Sequence, residues 1–232
     1  MSPSAGQYDA CKGQPLHSSL KASNTLQVRG KIVSVVDGCS AHTLWAQQPV
    51  MELQSCERVA LTLTSALRSP EEVSRTMFLA LGAGSTPSQL LCRYASAEAP
   101  QGWKVDANER PQLSTLISTR FLRSGFALPP HVAEQHHQDC MIKLFERFLD
   151  CSVYSRMFTT ATGLLGMGPD GTKEGDLVCV LYGAKVPFII RRKDQSETQD
   201  SRYVVIGEAY VDGLMYGEVM EMDLPEREIL LA

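Results

Sequence analysis

One arrangement constrains this chain more than any other: a single β-patterned run near the start is parted from four more near the end by about 100 residues of helical character. The early run is TLQVRGKIVSVVDGC. Leu26, Val28 and Ile32 alternate with Gln27, Arg29 and Lys31, the period of a strand with one buried face. From Ser34 onward it is apolar on both sides, and Asp37-Gly38 predicts a closing turn. The late runs are RMFTTATG, DLVCVLYG, VPFIIRRK and RYVVIGEAYV. Gly175-Asp176, Gly183-Ala184-Lys185 and DQSETQDS divide them, the last reading as a solvated hairpin tip. DLVCVLYG is apolar on both faces and is expected to be an interior strand.

Between these zones, residues of about 50–152 carry helix signals. Ser69-Pro70-Glu71-Glu72 is a capping box that predicts a helix to Leu81, with Gly82 as its left-handed stop. Thr86-Pro87-Ser88-Gln89 repeats the signal. Further helices are expected through QLSTLISTRFL and after Pro129-Pro130, where Met141, Leu144, Phe145, Phe148 and Leu149 form one apolar stripe. Residues 1–24 are polar, lack the apolar segment of a secretory signal, and read as a disordered tail.

Composition excludes several classes of function. Twenty-two basic against 26 acidic residues leave a net charge of −4, a poor field for gathering nucleic acid. No apolar run reaches the roughly 18 residues needed to span a bilayer. The seven cysteines are odd in number and form no C-x-x-C pair, which points to free thiols in a reducing cytoplasm and not to disulfides or zinc. The expectation is a cytoplasmic protein with no nucleic-acid or membrane partner and no cofactor.

Chemistry-bearing motifs are few. GMGPDG places Gly166, Gly168 and Gly171 in the G-x-G-x-x-G pattern, but a dinucleotide site needs a helix next and a strand is expected here, so the glycines read as turn formers. His136, His137 and Cys140 are the densest set of potential metal ligands; no further residue completes a recognisable spacing. Cys140, Cys151 and Cys179 carry no nucleophile signature, and Ser85 lacks the trailing glycine of a hydrolase elbow. Glu208 and Asp212, flanking Tyr210, are the acids best spaced for acid–base work, but ending the last long strand and capping it at a Gly213 turn is the better account of them. No catalytic, cofactor-binding or metal site is assigned.

The last zone carries a more specific signal. Gly175, Asp176, Val178, Cys179, Val180, Leu181 and Gly183, then Pro187, Phe188 and Arg191, then Gly207, Glu208, Tyr210, Val211, Gly213, Met215, Gly217 and Glu218 fall in an ordered series. That series resembles the C-terminal region of fungal heterokaryon incompatibility proteins of the six/OR-allele type. The strand LQVRGKIVSVVDG resembles the one that opens the same region. Asp212 and Tyr216 stand where family members often carry histidine and aspartate. The resemblance implies an α+β fold: a small β-barrel of the first and the C-terminal strands, with the helical residues inserted, so that residues 25–232 make one domain. It also implies that the family's N-terminal incompatibility (HET) domain is absent. The expected function is a non-catalytic accessory or interaction domain in allorecognition and programmed cell death, with a protein partner. The alternative is a small cytosolic enzyme using a cysteine, or Glu208 and Asp212, at the barrel mouth.

Overall fold

The computed structural model describes residues 8–21, 25–41, 48–63, 69–93, 105–127, 137–152, 154–193 and 201–232. The chain divides into two compact units, Ser40–Met157 and Ser2–Cys39 with Phe158–Ala232.

The Ser40–Met157 unit holds five helices among the described residues: α1 (Pro49–Leu61), α2 (Pro70–Leu81), α3 (Pro87–Arg93), α4 (Arg110–Arg123) and α5 (His137–Ser152). Helix α2 starts where its capping box requires. Ser69 Oγ accepts the Glu72 N–H at 3.2 Å, and Glu72 Oε2 accepts the Ser69 N–H at 2.8 Å. Its stop differs from expectation: Gly82 has a φ of −88°, and the left-handed residues are Ala83 and Gly84, one step later. Thr86 and Gln89 form the same reciprocal pair ahead of α3. The predicted stripe of α5 is fully buried, from 0% exposure at Met141, Leu144 and Phe145 to 3% at Leu149. Phe78 of α2 meets Phe148 of α5 and, edge-on, Phe121 of α4. At the root of this unit Ser40 and Met157 are tied together. The Ser40 N–H donates to Met157 O at 2.8 Å, and the Met157 N–H donates to Ser40 Oγ at 3.1 Å.

The other unit is built on one long strand. After β1 (Ser18–Leu20) comes β2 (Leu26–Cys39), 14 residues long. The later strands are β3 (Ser155–Thr160), β4 (Leu165–Pro169), β5 (Leu177–Leu181), β6 (Phe188–Arg192), β7 (Arg202–Glu208), β8 (Tyr210–Val211) and β9 (Glu226–Leu231). One edge of β2 carries β1 and then β5; the other carries β9 and then β3. Because β5 pairs with β6, β6 with β7, and β7 with β9, the pairings return to β2 and five strands form a closed ring. All ring pairings are antiparallel except the short parallel one between β7 and β9.

The two-faced apolar pattern of β5 has a direct cause. Leu177, Cys179 and Leu181 join one buried cluster, with Val28 of β2, Ile190 of β6, Tyr203 of β7 and Ile229 of β9. Val178 and Val180 face a second cluster with Val33, Val36, Phe158, Ile189 and Val211. The first cluster draws on every strand of the ring.

Several expectations are corrected. Asp37-Gly38 does not end the first strand. The backbone continues to Cys39 through a register shift between Val36 and Gly38, so the pair makes a bulge. Gly166 and Gly168 turn no corner either, because they lie inside β4. There a Cβ would come within 2.5 Å of Tyr210 O at Gly166, and within 2.7 Å of Thr172 Oγ1 at Gly168. The corner is Pro169–Thr172, closed by the Thr172 N–H donating to Pro169 O, and Gly171 adopts no positive φ. A strand, β5, follows it. Residues 8–21 are not a tail: Tyr8, Ala10 and Cys11 are buried and Ser18–Leu20 pairs with β2. Their anchors follow no strand or helix period, which hid them in a polar sequence. The tip DQSETQDS lies mostly outside the described residues.

Val180, at 0% exposure, tests the interior position of β5. Val180→Asp places a carboxylate among apolar side chains and should cost on the order of 3–5 kcal/mol. Glu174→Gln, at an exposed turn position, should change stability by less than about 0.5 kcal/mol. Chemical denaturation of both variants checks this; equal losses would contradict the assignment.

Candidate functional site

Of the ordered motif residues, Val178, Cys179 and Val180 lie inside β5, and the glycines and acids lie at strand ends and turns of the ring unit. Gly175, Gly183, Gly213 and Gly217 have φ values of 85–91°, the left-handed region that only glycine enters without strain. The best-defined polar cluster follows Gly175. Asp176, 1% exposed, accepts from Arg191 Nε at 2.7 Å through Oδ1. Its Oδ2 accepts from Arg191 Nη2 at 2.9 Å and from the Lys173 N–H at 2.8 Å. Arg191 Nη2 also donates to Gly171 O at 2.7 Å. This bidentate clamp fastens the β4–β5 turn to β6, and the aspartate's hydrogen bond raises the already high Arg191 pKa. The turn is also stitched to β2, because the Gly175 N–H donates to Val36 O and the Val36 N–H to Asp176 O.

The second cluster surrounds Tyr210. The chain leaves β7 at Glu208, which pairs with Phe188 of β6 and is exposed, and enters β8, which pairs with β4. Ala209 marks the change of partner, its N–H donating to Pro187 O. Tyr210 is 6% exposed, and its hydroxyl lies 3.5 Å from Asp212 Oδ1. Tyr8 packs edge-on against Tyr210 and Tyr216, with ring centroids 6.3 and 5.7 Å away. Burial first, then Asp212 and the neighbouring tyrosines, push the Tyr210 pKa well above the ordinary phenol range. Beyond it, Glu218 Oε2 accepts the Tyr216 N–H at 2.7 Å. Gly217 opens a 3₁₀ turn, Glu218–Met220, whose Val219 carbonyl accepts from the buried Lys31 Nζ at 3.3 Å.

Of the acids singled out in the sequence, Asp212 meets Tyr210, whereas Glu208 sits on a stretch with a different strand partner. Cys179 is fully buried and burial drives its pKa far upward, which keeps it a thiol. Burial also raises Cys140, half-buried on α5. His136 and the side chain of His137 lie outside the described residues. Among the described residues no three His, Cys, Asp or Glu side chains gather as a metal site. Ser85 is buried. No helix of the described residues is long and apolar enough to cross a membrane.

Sequence reasoning missed a groove of about 450 Å³ lined by Leu16, His17, Ser18, Gln27, Arg29 and Glu228 among others. No periodicity marks it, because β1 and β9 had no strand signal of their own.

Two measurements test these clusters. Arg191→Ala leaves the Asp176 carboxylate with only the Lys173 N–H and should cost roughly 1.5–3 kcal/mol; no loss in a denaturation experiment would contradict the clamp. For Tyr210 the sign is set by its raised pKa. Above the unfolded phenol value of about 10, the unfolded chain has released a proton that the native one keeps, so stability falls as pH rises. Tyr210→Phe should flatten that alkaline loss, read as Tm against pH from 8 to 11.

Residues 131–231 match the Het-6 β-barrel domain family. A curated relative, heterokaryon incompatibility protein 6, OR allele, of Neurospora crassa, is 41% identical over 73 residues. The aligned stretch is 32% of this chain but only 10% of that protein, so the chain spans a small part of its relative's length. No solved structure matches the chain. The resemblance carried by the ordered glycine, acid and tyrosine motifs is thus shown: residues 131–231 match the Het-6 β-barrel domain, and the aligned stretch is similar to an incompatibility protein of a fungus.

Proposed function

We propose that this chain is a protein-interaction module of a heterokaryon incompatibility system, acting in the cytoplasm and without catalysis of its own. Its ring of β2, β5, β6, β7 and β9 serves as a barrel, four of whose strands lie within the matched residues and β2 outside them. The cluster fed by all five strands places buried apolar side chains inside it.

The observation that carries this reading is how the motif residues are used. Asp176 is held by Arg191 and a backbone N–H, Tyr210 is buried and favoured in its neutral form, and four motif glycines serve left-handed turns. Catalytic groups need an exposed reacting atom and a pKa poised near the working pH. Groups committed to turns and clamps present a stable surface instead. The enzymatic alternative rests on the 3.5 Å contact of Tyr210 with Asp212, whereas Glu208 pairs with β6, before the change of strand partner at Ala209.

The relative's host provides the assay. Fungal cells expressing residues 1–232 alone should stay viable. When the chain is co-expressed with an incompatible allelic pair, it should compete for their partner and lower the frequency of cell death. Death caused by the chain alone, and abolished by Glu208→Gln or Asp212→Asn with an unchanged Tm, would replace this reading with the enzymatic one.

A further inference from the structure

The segment before β1 is held as a bound peptide is held. Tyr8, Ala10 and Cys11 are 3%, 0% and 2% exposed, although the segment belongs to no helix or strand. Its main chain is received by two carbonyls: the Asp9 N–H donates to Met215 O and the Ala10 N–H to Lys185 O, each at 3.0 Å. Charges of opposite order lie at the rim, where Lys12 Nζ meets Glu221 Oε1 at 2.7 Å and Lys185 Nζ approaches Asp9 Oδ1 at 3.8 Å.

The receiving surface is shaped for this crossing. A Cβ on Gly183 would lie 2.6 Å from Leu16 Cβ, and one on Gly217 would lie 2.8 Å from Lys12 Cβ. Two glycines of the ordered motif series therefore double as the floor beneath the segment. The segment also keeps its own shape. Asp9 Oδ1 accepts the Gly13 N–H at 3.0 Å, the Gln14 N–H donates to Cys11 O, and Lys12 and Gly13 are both left-handed. A self-folded knob with an apolar centre, main-chain hydrogen bonds and a solvated charged rim has the anatomy of an interface and not of a core. Its rim pair is exposed and adds little to closure.

We infer that the surface made by Gly183–Lys185 and Tyr210–Glu221 is a peptide-docking site which residues 8–16 fill in cis. A protein partner engages it with a segment of the same chemistry, an aromatic residue followed by an acid, two small residues and a lysine, and displaces the chain's own. This assignment rests on the interaction-module reading and names its surface. Removing the knob uncovers Tyr210, Met215 and the two glycines, an apolar floor between Lys185 and Glu221 that matches those charges.

The experiment uses the full chain and a fluorescent peptide of residues 6–17, kept reduced. In an opened variant, Tyr8→Ala with Ala10→Asp, the cis segment loses its anchors. The peptide should bind this variant at least tenfold more tightly than it binds the wild type, and a peptide carrying Ala10→Asp should bind neither. Absence of binding to a folded opened variant, or equal binding to wild type, overturns the inference. It does so without touching the viability and competition results, so the two readings fail separately. A wild-type chain of doubled mass with exchanged segments would assign the surface to a second copy and overturn displacement by a partner. If the opened variant does not fold, amide exchange of the wild type decides. The Asp9 and Ala10 amides exchanging at least tenfold faster than those of Val178–Val180 supports a segment that opens locally; equal rates make it part of the core and overturn the inference.

Discussion

Everything in the ring unit depends on β2 being paired along both edges. At Gly30 and Lys31 the strand bonds β5 on one side and β9 on the other, which joins the two ends of the ring. Gly30 permits this crowding: a Cβ there would lie 2.4 Å from Val180 O. The register shifts bend the strand, one between Ile32 and Ser34 within its pairing to β5 and one between Val36 and Gly38 within its pairing to β3. Such bulges increase local twist, which a small closed sheet requires.

Legibility in the sequence followed periodicity. The α2 capping box and the α5 stripe were plain because helix signals are local and repeat every few residues. The interior position of β5 was plain because an apolar run on both faces has one economical explanation, two clusters, and Leu177 and Val178 do fall in different ones. Strand β9 was not legible. EREILL is charged over its first half, with a burial pattern that starts exposed, and its place is decided by β2, which lies far away in sequence. Tyr8, Ala10 and Cys11 were missed for a related reason: their burial depends on a surface formed by residues 183–221, which no window around them contains.

The candidate site was legible as a set of residues but not as an arrangement. The motif order picked out Asp176 and Tyr210, and both prove central to polar clusters. Their roles depend on partners in other strands. Arg191 reaches Asp176 across the β5–β6 pairing, and Tyr8 reaches Tyr210 from the start of the chain. Their spacing about Tyr210 marked Glu208 and Asp212 as candidates for acid–base work. The change of strand partner at Ala209 falls between them, and only the sheet order reveals it.

The hydrogen bonds that tie Ser40 to Met157 have a consequence for how the chain folds. Ring closure brings Leu26–Lys31 to Glu226–Leu231, about 200 residues downstream, a separation that makes for a slow search. Once the helical unit has formed and its two ends are bonded together, the intervening length counts as a short link. The effective loop falls to about 80 residues, and the closure entropy eases by about 0.8 kcal/mol, since it grows only with the logarithm of length. The insertion is therefore nearly weightless in the equilibrium of the ring. Its influence is kinetic: the order in which the two units fold sets how far the ends of β2 and β9 must diffuse before they meet.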